Sequence, residues 1–211
     1  MNSTASGQPA HAVVLGASMS GLLAARVLAD QYGRVTLVDR DAIPAVVGPR
    51  RGVPQGRHIH ALHARGLQIL EELFPGLIDT LVDDGAVAVD LGARVRTIVS
   101  GHHLRQVPLG LPGVQCSRPF LEQHVRARVL ALPGVAFCHA AASGLTASAD
   151  NARITGVRIV ADRGAESVLP ADLVVDATGR GSHTPTVLAE MGYGRPVEDR
   201  VEIGLVYATR L

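Results

Sequence analysis

Six residues, Gly16-Ala17-Ser18-Met19-Ser20-Gly21, restrict the fold of this chain more than any other feature. They follow a short apolar run, residues 11–15. They precede a helical pattern in which Leu22, Leu23, Val27 and Leu28 recur at helix spacing and which ends near Tyr32-Gly33. A second apolar run, Val35 to Val38, stops at Asp39. Strand, glycine turn, helix and strand within about 30 residues make a βαβ unit. The turn matches G-x-G-x-x-G except for Ser18 in the middle position. Gly16 permits a tight turn, a small residue at Ser18 lets the backbone approach a pyrophosphate, and Gly21 lets the helix pack closely on the strand. The helix N-terminus offers N–H groups and partial positive charge to phosphates. Asp39 stands where an acid would meet ribose hydroxyls. The pattern points to dinucleotide binding and does not separate FAD from NAD.

The remainder of the chain does not continue as a classical dehydrogenase, which would add further βα units. A long loop from Asp41 to His58, rich in Pro, Gly and Arg, comes next. Ile59, Leu62, Gly66, Ile69, Leu70 and Leu73 mark a helical face stopped by Pro75-Gly76. Residues 87–99 read as two short strands, and a loop with His102 and His103 leads to Val114-Gln115-Cys116. Pro119 suits the first turn of another helix, which runs to Pro133-Gly134. Three strands are predicted over 135–138, 144–149 and 154–160. Another, from Leu173 to Val175, runs into Asp176-Ala177-Thr178-Gly179, and a short helix reaches Met191. Val201, Ile203, Leu205 and Tyr207 alternate as in a strand.

Composition removes several chemistries. All 20 basic residues are arginine. Schiff-base catalysis, the lysine of P-loops and kinases, and the Tyr-x-x-x-Lys pair of short-chain dehydrogenases are therefore excluded. A net charge of +1, the absence of Trp and an aromatic content of 3% argue against nucleic acid as a partner. Cys116 and Cys138 form no C-x-x-C pair and read as reduced thiols of a cytoplasmic protein. The polar first ten residues read as a loose tail, and no apolar run is long enough to suggest membrane contact.

Four blocks of this sequence resemble the FAD-dependent monooxygenases related to aromatic hydroxylases, in particular their squalene-epoxidase-like and polyether-epoxidase-like branch. They are Gly16 to Gly21 with Asp39; Arg51-Gly52-Val53-Pro54-Gln55-Gly56-Arg57-His58-Ile59-His60; Ser117-Arg118-Pro119-Phe120-Leu121; and Ala171-Asp172-Leu173-Val174-Val175-Asp176-Ala177-Thr178-Gly179 with Arg180-Gly181. The resemblance implies an α/β fold: a Rossmann-like FAD-binding domain of glutathione-reductase type with a β-meander, followed by the beginning of a truncated substrate-binding sheet. Within it, residues 11–195 form an incomplete FAD-binding domain with inserted strands near 87–115, and residues 196–211 start the substrate domain. The chain is expected to be the amino-terminal portion of a longer flavoprotein, inactive alone.

The resemblance also implies how FAD is held. Arg118 touches the pyrophosphate or ribityl region, and Thr178 and Gly179 lie by the adenine side, Gly179 because no side chain fits. Ser20, Arg40 and Arg51 join Gly16, Ser18, Gly21 and Asp39 as cofactor-binding residues. The chemistry implied is epoxidation or hydroxylation of a small organic, polyketide or terpenoid substrate by O₂ through a flavin hydroperoxide. Electrons come from NAD(P)H or a separate flavin reductase, the latter because Asp176-Ala177-Thr178-Gly179-Arg180 departs from the hydroxylase pattern. No side chain is expected to act as a catalytic nucleophile. His58, His60 and His63 lack a fourth ligand nearby in sequence, so no metal is expected. They are read as lining the flavin or substrate cavity or as ordinary loop residues. A reductase of the geranylgeranyl-reductase type and a non-catalytic FAD-binding remnant are the alternatives.

Overall fold

The computed structural model describes residues 10–44, 46–58, 62–161 and 164–206. Ile59, His60, nearly all of the amino-terminal tail, and Tyr207 onward lie outside them. The chain divides into two compact units, one of residues 1–45, 50–53 and 126–208 and the other of 46–49, 54–125 and 209–211.

The first unit is built on a six-stranded sheet. Strand β1 (His11–Leu15) lies between β2 (Arg34–Asp39) and β10 (Leu173–Asp176), parallel to both. Beyond β2 come β7 (Val135–Ala147), also parallel, and the antiparallel β8 (Ile154–Ala161) and β9 (Glu166–Pro170). All five residues of β1 are buried. Such a run needs cover on both faces, and its period-two alternation shows what supplies it. Val14 faces α1 (Met19–Leu28), within reach of Gly21, while Leu22 and Ala25 of that helix are fully buried. Val13 and Leu15 face the other way, into a core with Val38, Ala140, Leu145, Val157 and Ile159. Val187 and Leu188 of α6 (Thr184–Glu190) pack on that core.

The sequence predicts two strands over 135–149, and the structure has one. Its register shifts between Ala142 and Gly144, where a bulge lets β7 bend from the parallel sheet into the meander. Strand β9 has no counterpart in the sequence reading. The strand expected from Val201 onward is absent over residues 201–206, whose alternating side chains are exposed.

One buried polar group on β1 carries a pH dependence. The His11 ring lies 2.6 Å from the Pro170 carbonyl through Nδ1 and 2.8 Å from the Thr36 hydroxyl through Nε2. The Arg34 guanidinium lies 2.9 Å from the same Nδ1 through its Nη2. Burial lowers the His11 pKa, the Pro170 bond partly opposes this, and the nearby Arg34 charge lowers it further. The unfolded chain therefore takes up this proton first. Stability present above about pH 6.5 is expected to fall as pH drops below that value toward the folded pKa. Urea midpoints measured from about pH 7.5 to 5 should show the fall, and His11→Gln should flatten it.

In the second unit, α2 (Ala64–Leu73) and α3 (Leu77–Asp83) precede β3 (Val87–Asp90), which pairs antiparallel with β6 (Pro112–Gln115). Leu67, Leu70, Phe74, Leu77, Leu81 and Val114 are buried here. The sequence reading ends its helix at Pro75-Gly76 and has no α3. The Glu71 carboxylate accepts from Gly76 N–H at 2.5 Å and Ile78 N–H at 3.0 Å, starting this second helix where the first stops. Residues 87–99 hold β3, one helical turn α4 (Leu91–Arg94) and β4 (Ile98–Val99). His102 and His103, expected in a loop, form β5 and pair with β4. Helix α5 (Arg118–Leu130) begins in this unit and ends in the first.

Candidate functional site

The sheet order places a crossover at β1: the chain leaves it toward β2 on one side, and β10 enters on the other. In open α/β sheets the crevice beyond the carboxyl ends of strands at such a switch point is where ligands bind. The residues at that crevice are the turn after β1, Asp39 at the end of β2 and the loop after β10.

The turn depends on its glycines. Gly16 has φ +93°, and its N–H donates to the Val38 carbonyl at 2.7 Å. A Cβ there would meet the Ala177 oxygen at 2.9 Å, so the turn lies directly against the loop after β10. A Cβ on Gly21 would stand 1.7 Å from the Gly16 carbonyl oxygen. Ser18 is the N-cap of α1 with extended backbone, its side chain makes no capping bond to the helix, and no acid sits in the first helical turn. A helix start of this kind, without negative side chains in its first turn, favours an anion.

Asp39 is turned toward this site. Its Oδ2 accepts from Ala17 N–H at 2.6 Å and its Oδ1 from Asp41 N–H at 2.8 Å. Beside it is an arginine the sequence reading did not single out. Arg50, with its side chain 6% exposed, donates through Nη2 to the Ala17 carbonyl at 2.9 Å and pairs through Nη1 with Asp39 at 3.4 Å. The Arg51 expected at the site is exposed, as are Arg40 and Ser20. The backbone carbonyl of Arg40 accepts from His139 Nε2 at 3.1 Å. Arg50 and Arg51 are the same residue type, so only the path of the loop separates them and no local pattern reveals it.

On the other side of the crevice, Asp176 organises the loop after β10. It accepts from Thr178 N–H at 2.8 Å and from the hydroxyls of Thr178, Ser182 and Thr184 at 2.6, 2.5 and 2.5 Å. Burial pushes the Asp176 pKa up, but the Ser182, Thr178 and Thr184 bonds outweigh it and hold the carboxyl below its ordinary value. The Thr178 hydroxyl is thus turned back onto Asp176. Gly179, expected to be glycine because no side chain fits, meets no protein atom within 4 Å of a Cβ; its φ of +73° is what calls for glycine.

Arg118 belongs to the second unit. It opens α5, and its Nε lies 3.6 Å from the buried Glu122 carboxylate. Burial pushes both cysteine thiols up, Cys116 and Cys138, which makes each a poorer nucleophile. Among the described residues no helix is long and apolar enough to cross a membrane.

No protein-family model matches the chain. Protein Rv3254 of Mycobacterium tuberculosis is 41% identical in an alignment that covers 94% of this chain and 44% of Rv3254. The chain thus spans less than half the length of that relative. Among solved structures, PqsL of Pseudomonas aeruginosa, described as a probable FAD-dependent monooxygenase, superposes with a TM-score of 0.64 at 19% identity, covering 91% of this chain and 48% of PqsL. The p-nitrophenol 4-monooxygenase PnpA of Pseudomonas putida gives 0.60 at 17%, covering 85% and 43%. OxyS, an anhydrotetracycline hydroxylase of Streptomyces rimosus, gives 0.60 at 20%, covering 85% and 33%. At these identities the likeness is one of fold: the chain has a mixed α/β fold similar to that of FAD-dependent monooxygenases.

Proposed function

We propose that this chain binds FAD at the β1–β10 crossover and serves as the cofactor-holding part of a flavin-dependent monooxygenase. The observation that carries this reading is the joint placement of the Gly16–Gly21 turn, the α1 N-terminus and Asp39 at one switch point. The residues suit the group. The start of α1 takes the diphosphate, where an acid-free first turn leaves the helix dipole unopposed. Asp39 takes an adenosine ribose hydroxyl. The backbone of Thr178 and Gly179 borders the nucleotide on the β10 side. Arg40, Arg51 and Ser20 stand at the exposed margin.

Bound FAD would supply the redox chemistry, activating O₂ once reduced so that one oxygen atom enters an organic substrate. The chain's own part is to bind, orient and shield, and no side chain is assigned as nucleophile. The substrate class proposed is a small organic molecule of polyketide or terpenoid type, taken to an epoxide or a hydroxylated product. Electrons come from NAD(P)H or a separate flavin reductase. PqsL has been solved in complex with 2-aminobenzoylacetate, which supports a small organic molecule as substrate.

The test is binding. The purified chain should retain added FAD through desalting and show a flavin visible spectrum. Asp39→Ala should weaken FAD on the order of tenfold to hundredfold, the worth of a hydrogen bond to a charged group. A chain whose melting temperature rises with NADH and not with FAD would sink the reading.

A further inference from the structure

The loop after β2 is held at two points against the nucleotide turn, and the holding group is an arginine with a specific double contact. Arg50 touches both sides of the Gly16–Asp39 corner: one amino group bonds the Ala17 carbonyl, the other pairs with the Asp39 carboxylate. Its Nη1 also lies 3.9 Å from Asp41, whose carboxylate accepts from Gly52 N–H at 2.7 Å. The guanidinium is almost wholly buried, and the Asp39 side chain is 12% exposed.

The consequence lies in what Asp39 has left to offer. An ionised carboxylate has about four acceptor positions. Among the described residues three are taken: two on Oδ2, by Ala17 N–H and Arg50, and one on Oδ1, by Asp41 N–H. The carboxylate cannot rotate without breaking one of these bonds, and Oδ1 presents the remaining position. A ribose is therefore met by a carboxylate already held in place, with little ordering left to do at binding. A lysine could not reproduce this. It would carry the charge as a single point, whereas a planar fork spans the carbonyl and the carboxylate together.

We propose that Arg50 is a positioning residue of the nucleotide site: it ties the acid that meets the ribose to the turn that meets the diphosphate, and so sets affinity for the adenosine half of the cofactor. This rests on the nucleotide-binding reading above and assigns Arg50 no direct contact with the ligand.

The experiment is a double-mutant cycle on the 211-residue chain, using Arg50→Met, Arg50→Lys and Asp39→Asn, alone and combined. FAD, FMN and ADP-ribose are the probes, and thermal unfolding is followed in parallel. Arg50→Met should weaken FAD and ADP-ribose on the order of tenfold to hundredfold and leave FMN, which lacks the adenosine half, within about twofold. Arg50→Lys should recover little of the loss. Adding Arg50→Met to Asp39→Asn should cost much less than Arg50→Met alone, because the two act as one unit. Equal loss of FAD and FMN with a lowered melting temperature would make Arg50 a general fold residue and overturn the proposal. So would additive losses, or unchanged FAD affinity in Arg50→Met. If the wild-type chain binds ADP-ribose and not FAD, and Arg50→Met loses it, the positioning role stands and the flavin reading falls. If no probe binds, both fall.

Discussion

Replacing Gly21 with alanine is expected to leave the chain unable to hold its β1–α1 contact. The added Cβ would sit 1.7 Å from the Gly16 carbonyl oxygen, a backbone atom that no rotamer change can move aside. Relief requires the helix to withdraw from the strand by more than an ångström. That opens the packing of Leu22 and Ala25, both fully buried. Backbone collision and lost core packing together are expected to cost about 3 kcal/mol or more. The measurement is soluble yield followed by a urea midpoint. Gly179→Ala is the internal control: its Cβ meets no protein atom, so only the left-handed backbone is penalised, by about 1–2 kcal/mol. Equal effects at the two positions would show that Gly21 is not a steric requirement.

Asp176→Ala is expected to be the most damaging polar substitution. It leaves the hydroxyls of Thr178, Ser182 and Thr184 and one N–H without their shared acceptor. Bonds to a charged acceptor are worth about 1.5–3 kcal/mol each, and the half-exposed site lets water replace some, so a total loss of about 2–3 kcal/mol is expected. In a domain of this size that lowers the melting temperature by roughly 5–10 °C. The pH dependence has a definite sign. The folded carboxyl is held below its ordinary value, so its stabilisation is present above about pH 4 and is lost as pH falls through the folded pKa. Asp176→Asn should remove that acid-side loss, which acid titration of the melting temperature would reveal.

The elements that position the site were legible because local pattern and burial agree there. Residues 11–15 and 35–38 are mostly apolar runs that are buried throughout, and Asp39 follows the second of them. Helix α3 was not legible: it has seven residues, and its start depends on Glu71 reaching across from the preceding helix. The single strand β7 was hidden because Ala141, Ala142 and Ser143 interrupt the alternation, and pairing with β8 sustains it instead. The alternation over residues 201–206 shows the converse, a strand-like pattern without a partner strand among the described residues. Arg50 was missed for another reason. Its neighbour Arg51 has the same chemistry, and only the fold of the loop decides which guanidinium turns inward.

The contact between Gly16 and Ala177 also orders events in time. One wall of the Gly16–Gly21 turn comes from the loop after β10, and β1 and β10 pair residues 161 apart in sequence. During synthesis, β1 must wait with one edge unpaired until β10 has left the ribosome. A nascent chain that stops short of it displays the whole glycine motif and still lacks the crevice beside it, so that crevice is completed late in folding.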